Sequence, residues 1–326
     1  MLRIVSLSLP VLLTSLTLGG CVLTKHPQTK ASVAETTAPD WETLLAEPGP
    51  IVLTSKASAY WSVPLKGLLN LDHPTAEEAG LENVETPIVL PVHFLAHPDA
   101  GLYVIDSGVS AGVAAGEPEA ISGPISKWLD GMEPVASLSA LLAEQEQPLK
   151  GVLITHAHLD HILGLPDVAS EVPVYMGPGE LDAKSPLNSM MRKTYNGTFE
   201  GLGPVQVWDF ETAPAADPFQ AAIDLLGDGS LWALFTPGHT SGSTSYLART
   251  VDGPVLFTGD ACHTLWGWQN DVESGTYNVD PDSARDSFER LKAFAESHPS
   301  LRVFVGHELD GENTGVDDAM SATSED

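Results

Sequence analysis

The sequence predicts an α+β protein in which two sheets pack face to face with helices on the outside. Short apolar strand runs fall into two series, each accompanied by helical segments, and no long linker divides them, so both belong to one domain. Several residues able to hold a metal ion each follow the end of one of these strands, and strand ends on one edge of a sandwich can converge. No repeat period marks a solenoid or a propeller.

The chain opens with Arg3 and an apolar run from Ile4 to Leu18. A positive start before a short hydrophobic stretch is the layout of a secretory signal, too short and poorly flanked for an ordinary membrane span. Leu18-Gly19-Gly20-Cys21 resembles the bacterial lipobox, which implies removal of residues 1–20 and lipidation of Cys21. The expected location is then the bacterial cell envelope, lipid-anchored and facing the periplasm where two membranes exist. Residues 21–44 are mostly polar and small, which predicts a flexible tether between lipid and domain.

The domain itself is expected over residues 45–310. Ile51–Thr54 and Ala59–Val63 read as its first strands, and Leu65 to Gly80 as a loop with exposed leucines. Ile88–Leu95 and Leu102–Ile105 are strands joined by a tight Asp99-Ala100-Gly101 turn. Ser122-Gly123-Pro124 starts a helix that Gly131 stops, and Val135, Leu138, Leu141 and Leu142 give the next helix an apolar face. Val152-Leu153-Ile154 is a buried strand, Val174–Met176 another, and residues 178–203 read as a short helix with a mobile loop at the mouth of a site. Further strands follow at Val205–Trp208, Leu231–Phe235, Ser245–Leu247 and Val255–Phe257. Asp280-Pro281 caps a helix with Ala284, Phe288, Leu291 and Ala295 on one face, Pro299 ends it, and Arg302–Val305 is the last strand. Residues 311–326 form an acidic tail expected to be disordered.

Lys and Arg together number 15 against 44 Asp and Glu, a formal charge of −29. That field repels nucleic acid and anionic surfaces, so no nucleic-acid partner is expected. Two cysteines, Cys21 and Cys262, provide no disulfide framework.

The densest chemistry lies in Thr155-His156-Ala157-His158-Leu159-Asp160-His161, directly after the Val152 strand. Residues two apart in an extended segment point to the same side, so His156 and His158 can reach one ion. Asp160 and His161 come as the chain turns and can reach a second beside it. Imidazole and carboxylate are the usual zinc ligands besides thiolate. His239 follows Phe235, Asp260 follows Phe257 and His307 follows Val305, each just past a strand.

His156-Ala157-His158-Leu159-Asp160-His161, then Thr236-Pro237-Gly238-His239-Thr240-Ser241-Gly242, then Phe257-Thr258-Gly259-Asp260, then Gly306-His307, occur in the order found in the metallo-β-lactamase fold hydrolases, which the chain resembles over roughly residues 45–310. The resemblance implies an αββα sandwich. It implies one zinc held by His156, His158 and His239, a second by Asp160, His161 and His307, and Asp260 bridging both; manganese, iron or cobalt can take zinc's place. Asp106 resembles the family's buried aspartate, which supports the histidine loop without binding metal. Two such ions, about 3.5–4 Å apart, share a bridging hydroxide that attacks the substrate, oriented by Asp160 and Asp260.

Within the family, Asp260 argues against true β-lactamases, which lack the bridging aspartate, and His158 stands where flavin-linked diiron oxidases carry Glu. The segment Gly259-Asp260-Ala261-Cys262-His263-Thr264 with Trp266-Gly267-Trp268 looks most like the lactonase and organophosphate-hydrolase branch. Acyl-homoserine lactonases usually place a Tyr three residues after the bridging Asp; here that position is His263, a candidate catalytic acid or hydrogen-bond donor. Leu68, Leu69, Met190, Met191, Trp266 and Trp268 are candidates to line an apolar pocket for an acyl or aryl group. The expected activity is hydrolysis of an ester or lactone, N-acyl-homoserine lactones foremost (quorum quenching). The alternatives are an organophosphate, aryl ester or glutathione thioester hydrolase, or a mononuclear iron persulfide dioxygenase.

Overall fold

The computed structural model describes residues 21–32, 37–117, 121, 127, 129, 131–185, 188–309 and 316. Strands β1 (Cys21–Val22) and β2 (Gln28–Lys30) and helix α1 (Trp41–Leu45) precede the long strand β3 (Val52–Pro64). Helices α2 (Leu65–Leu68) and α3 (Pro74–Glu78) lead to β4 (Glu85–His97) and β5 (Gly101–Ile105). Then come α4 (Ala111–Ala114), β6 (Glu133–Pro134), α5 (Leu138–Leu142), β7 (Leu149–Leu153), α6 (Leu159–Ile162), β8 (Val174–Met176), β9 (Lys184–Ser185), α7 (Asn188–Thr198) and β10 (Val205–Val207). The second half carries β11 (Ala222–Asp224), β12 (Leu231–Phe235), β13 (Thr244–Thr250), β14 (Gly253–Phe257), α8 (Leu265–Asn270), α9 (Pro281–Ser297) and β15 (Arg302–Phe304).

The strands form one eight-stranded sheet, in the order β2-β10-β8-β7-β5-β4-β3-β6, and one five-stranded sheet, β11-β12-β13-β14-β15. Leu95, Ile105 and Leu153 of the first sheet meet Ile223, Leu231, Tyr246 and Phe257 of the second in a core between the two. The opposite face of the first sheet, with Val104 and Val152, packs on Leu138, Ile162 and Tyr195 of its helices. The outer face of the second sheet, with Leu234 and Leu256, packs on Leu291 and Phe294 of α9 and on Trp41. The order helix, sheet, sheet, helix follows, as the sequence predicts.

Four expectations need correction. Residues 21–44 are not a free tether: β1 pairs with β9, β2 pairs with β10, and Leu23, Trp41 and Leu45 are buried. Counting apolar residues misses this because an open sheet edge binds backbone whatever the side chains. The two first strand runs are one strand, β3, with a bulge between Ala57 and Ala59. The stretch after it is helical at α2 and α3, the latter starting with Pro74 where its missing N–H costs nothing, and Leu65, Leu68 and Leu69 are buried, not exposed. The helix over 138–142 begins after its Ser137 cap and leaves Val135 exposed. The signal stretch 1–20 lies outside the described residues, as do nearly all of the helix started at Ser122 and of the tail; of residues 311–326 only Val316 is described, and it is buried. Among the described residues no helix is long and apolar enough to cross a membrane.

Candidate active site

Strand ends bring the candidate ligands together. The turn after β7 delivers His156 and His158, and α6 presents Asp160 and His161 one turn later. His239 leaves β12, Asp260 leaves β14 and His307 leaves β15, all toward the same edge. Two adjacent groups result, His156, His158, His239 and Asp260 in one, Asp160, His161 and His307 in the other. His239 Nε2 lies 3.1 Å from His156 Nε2 and 2.9 Å from His158 Nδ1. Asp260 spans both groups: Oδ2 is 3.6 Å from His156 Nε2, 3.3 Å from His239 Nε2 and 3.4 Å from His307 Nε2, and Oδ1 is 3.4 Å from His161 Nε2. Asp160 Oδ2 stands 3.6 Å from His307 Nε2 and 3.7 Å from His161 Nε2.

Each ring is aimed by what its other nitrogen does. His161 Nδ1 donates to Asp106 Oδ2 at 2.8 Å, His307 Nδ1 to the Val89 carbonyl at 3.1 Å and His239 Nδ1 to Asn278 Oδ1 at 3.3 Å, leaving each Nε2 for the site. Asp106 also accepts from the Thr155 backbone N–H at 2.8 Å and from its hydroxyl, so it ties down the start of the histidine loop. It does so from a left-handed backbone, φ +56°. Gly306 is required by crowding, since a Cβ there would sit 2.4 Å from Asp260 Oδ1.

The donor set fits a bound cation. His161 Nε2 and Asp260 Oδ1 are buried without hydrogen-bond partners, a costly state unless something positive lies between them. Ligand atoms of one tetrahedral zinc stand about 3.3 Å apart, close to the nitrogen spacings here. Burial, with His161 nearby, holds His156 well below the usual imidazole range; burial likewise lowers His158 and His239, so all three offer neutral lone pairs. Burial opposes charge on His161 and His307 as well, but Asp260 and Asp160, with Asp106 for His161, outweigh it and raise both. Against the cost of burial, His307, His263, His161 and His156 hold Asp260 well below the carboxylate range. The cluster therefore gathers carboxylate charge and imidazole nitrogens in one buried place, which suits a bound cation.

A cavity of about 590 Å³ opens on this edge, lined by Trp61, Val63, Leu68, Ile88, Leu129, Met191, Tyr195 and Tyr277 and ending on His158, Asp160, Asp260 and His263. Of the six expected pocket residues it includes Leu68 and Met191. Met190, next along α7, points about 100° away and is exposed. Leu69 is buried beneath α8, where a Cβ on Gly267 would sit 2.9 Å from it. Trp266 packs on the first core, and Trp268 faces α9, against Phe288 and under Lys292 Nζ. His263 is buried, with Nδ1 2.9 Å from Ser274 Oγ and Nε2 unpartnered, 3.2 Å from Asp260 Oδ2.

Sequence reasoning assigned no role to several contributors. Glu180 accepts from the Ala157 N–H at 2.6 Å, from the Thr240 hydroxyl at 2.6 Å and from the Gly242 N–H at 2.8 Å. Tyr195 donates to the Ala157 carbonyl at 2.8 Å, and Asn278 aims His239. The one available signal was Glu180, an acid in the otherwise uncharged stretch from Val172 to Leu181.

Two facing sheets whose strand ends gather five histidines and two aspartates beneath a cavity define a metal-dependent hydrolase. The chain belongs to the Metallo-beta-lactamase superfamily, whose family profile matches residues 92–307. It is similar to the N-acyl homoserine lactonase AttM of Agrobacterium fabrum (strain C58), 29% identical over 232 residues that cover 68% of this chain and 83% of that protein. In fold it is similar to the crystal structure of a quorum-quenching N-acyl homoserine lactone lactonase, with a TM-score of 0.57 at 17% identity over 80% of this chain and 93% of the other. The 1.4 Å structure of an N-acyl homoserine lactone hydrolase with the product N-hexanoyl-L-homoserine at the catalytic metal centre gives a TM-score of 0.57 at 16% identity, over 81% and 95%.

Proposed function

We propose that the chain opens the ester bond of lactones, N-acyl homoserine lactones foremost, with two divalent ions, zinc by the donor set, held by the two groups of ligands. His156, His158 and His239 would hold one, Asp160, His161 and His307 the other, with Asp260 between them. Bound ions supply what side chains cannot, hydroxide from water near neutral pH and positive charge at the carbonyl oxygen. Asp160 and Asp260 orient the attacking water by accepting its hydrogens. His263, whose Nδ1 lies 2.9 Å from Ser274 Oγ, stands at the floor of the cavity and would hydrogen-bond the ester through Nε2–H at the carbonyl or the leaving oxygen. Leu68, Met191 and Tyr277 exclude water and bury the acyl chain.

The cavity carries this reading. Its walls are largely apolar, and among the described residues none that lines it is Lys or Arg. A neutral lactone with an alkyl chain suits such a wall, each methylene gaining about 0.8 kcal/mol on burial. A glutathione thioester would bring its remote carboxylates to walls that, among the described residues, carry Glu85 and no Lys or Arg. The similarity to lactonases supports the same substrate class. The test is a substrate panel with the zinc-loaded chain. Ring opening of acyl homoserine lactones is expected to exceed, in kcat/KM, turnover of aryl esters, phosphotriesters and S-lactoylglutathione. Faster turnover of a phosphotriester or the thioester would replace the lactonase reading.

The lipobox-like Leu18–Cys21 stretch supports a lipid anchor at Cys21 and a place in the cell envelope. A radiolabelled fatty acid fed to cells should be incorporated into the chain and lost in Cys21→Ser; no incorporation into the unaltered chain would contradict the anchor.

A further inference from the structure

We propose that the face built by residues 21–30, 183–185 and 188–199 docks on an anionic phospholipid bilayer, with α7 against the lipid. These stretches form one surface. Val22 pairs with Lys184, Arg192 donates to the Val22 carbonyl at 2.8 Å, Thr24 donates to Asn196 Oδ1 at 2.7 Å, and the His26 ring stacks on Phe199. Together they carry Lys25, Lys30, Lys184, Arg192 and Lys193, five of the chain's 15 basic residues, while the nearest acids stand at the margin: Asp182, which accepts from Gln28, Asp209, which pairs with Lys30, and Glu200 after α7. On a molecule of net charge −29, that segregation makes a local positive patch that the overall charge conceals. Lys25, Lys184 and Lys193 are exposed and form no ion pair among the described residues; Lys30 pairs with Asp209. Met190, 54% exposed, lies on the same surface. Basic residues around an exposed apolar side chain suit a layer of anionic headgroups over acyl chains.

A bilayer is favoured over a protein or nucleic acid by where the chain leads. The apolar run Ile4–Leu18 ends three residues before Cys21, and Cys21–Val22 is already a strand pinned to β9. A lipid at Cys21 would therefore be attached at a strand residue of this face. The orientation has a consequence for substrate. Helix α7 also supplies Met191 and Tyr195 to the cavity wall, so the wall of the site lies at the lipid surface, where amphiphilic molecules concentrate. The proposal rests on the N-terminal anchor for proximity and is independent of which ester is cleaved.

The test is hydrogen–deuterium exchange of the full chain on phosphatidylglycerol-rich and on purely zwitterionic vesicles. Backbone amides of residues 184–199 are expected to exchange several-fold more slowly on the anionic vesicles. Protection should vanish at about 0.5 M salt, where screening reaches within about 4 Å, while exchange in β12–β14 stays unchanged. The triple variant Lys25→Glu, Lys184→Glu, Lys193→Glu should lose the same protection; the salt arm uses the unaltered chain and stands if that variant misfolds. No protection on anionic vesicles, or equal protection on both kinds, would overturn the proposal. Flotation with zwitterionic vesicles reports the anchor separately, so its failure is distinguishable from failure of the docking face.

Discussion

The carboxylate of Glu180 lies 2.6 Å from the backbone nitrogen of Ala157, the residue between His156 and His158. Its other oxygen accepts from Thr240 and Gly242, in the loop that carries His239. One buried acid thus ties together the two loops that supply three imidazoles, although burial pushes its carboxyl pKa up. Glu180→Ala leaves the Ala157 and Gly242 N–H groups without partners, the Thr240 hydroxyl keeping Ser243 Oγ at 2.7 Å, and should cost about 2–4 kcal/mol in stability. Metal retention should also weaken, by about 10–100-fold, since the ring positions depend on this tie. Chelator competition with zinc, beside denaturant melts, checks both. Wild-type zinc affinity in a folded Glu180→Ala chain would show that the loops are positioned without it.

His263 is the departure from the usual lactonase pattern, and its role is separable from metal binding. His263→Ala should lower kcat by about a hundredfold, the scale for loss of one donor to a developing charge, with KM and metal content little changed. His263→Tyr should recover part of the rate. Loss of metal in place of rate would make His263 a ligand.

The cavity predicts a chain-length dependence. Lengthening the acyl group from butanoyl to octanoyl should raise kcat/KM by up to about fourfold per methylene that becomes buried. Met191→Trp, which fills part of the wall, should penalise octanoyl and decanoyl substrates and spare butanoyl. A flat series would mean that the acyl chain lies in solvent.

A histidine outside the site sets a pH limit on the fold. His93 is buried between Phe257 and Phe304, with Nδ1 2.7 Å from Ser55 Oγ, and burial pushes its pKa down to about 3. The ring is neutral in the fold but protonates near pH 6.5 once unfolded. Its contribution is therefore whole above about pH 6.5 and is lost as pH falls toward 3, at up to about 1.4 kcal/mol per unit. Denaturant unfolding at several pH values should show His93→Phe with a shallower acid slope than the parent chain. Equal slopes would mean that His93 accepts a proton in the native state.

The candidate metal ligands were legible because their spacing is local or tied to strand ends. His156, His158, Asp160 and His161 sit within six residues, and His239, Asp260 and His307 each end an apolar run that could only be a strand. The role of Asp106 came from the family resemblance alone. What escaped depends on packing between distant elements. Glu180 is recognisable only once the β12–β13 loop lies beside it, and which of Met190 and Met191 faces the cavity depends on the rotation of α7. The N-terminal segment was misread because its strands are held by backbone pairing to β9 and β10, which composition does not report.

Metal stoichiometry tests the two-ion site most directly. The chain, purified without chelator and analysed by inductively coupled plasma mass spectrometry, should carry two equivalents of divalent metal, falling to about one in Asp160→Ala as one ligand group is lost. A single equivalent of iron with oxygen uptake, or ester hydrolysis undiminished after complete metal removal, would contradict it.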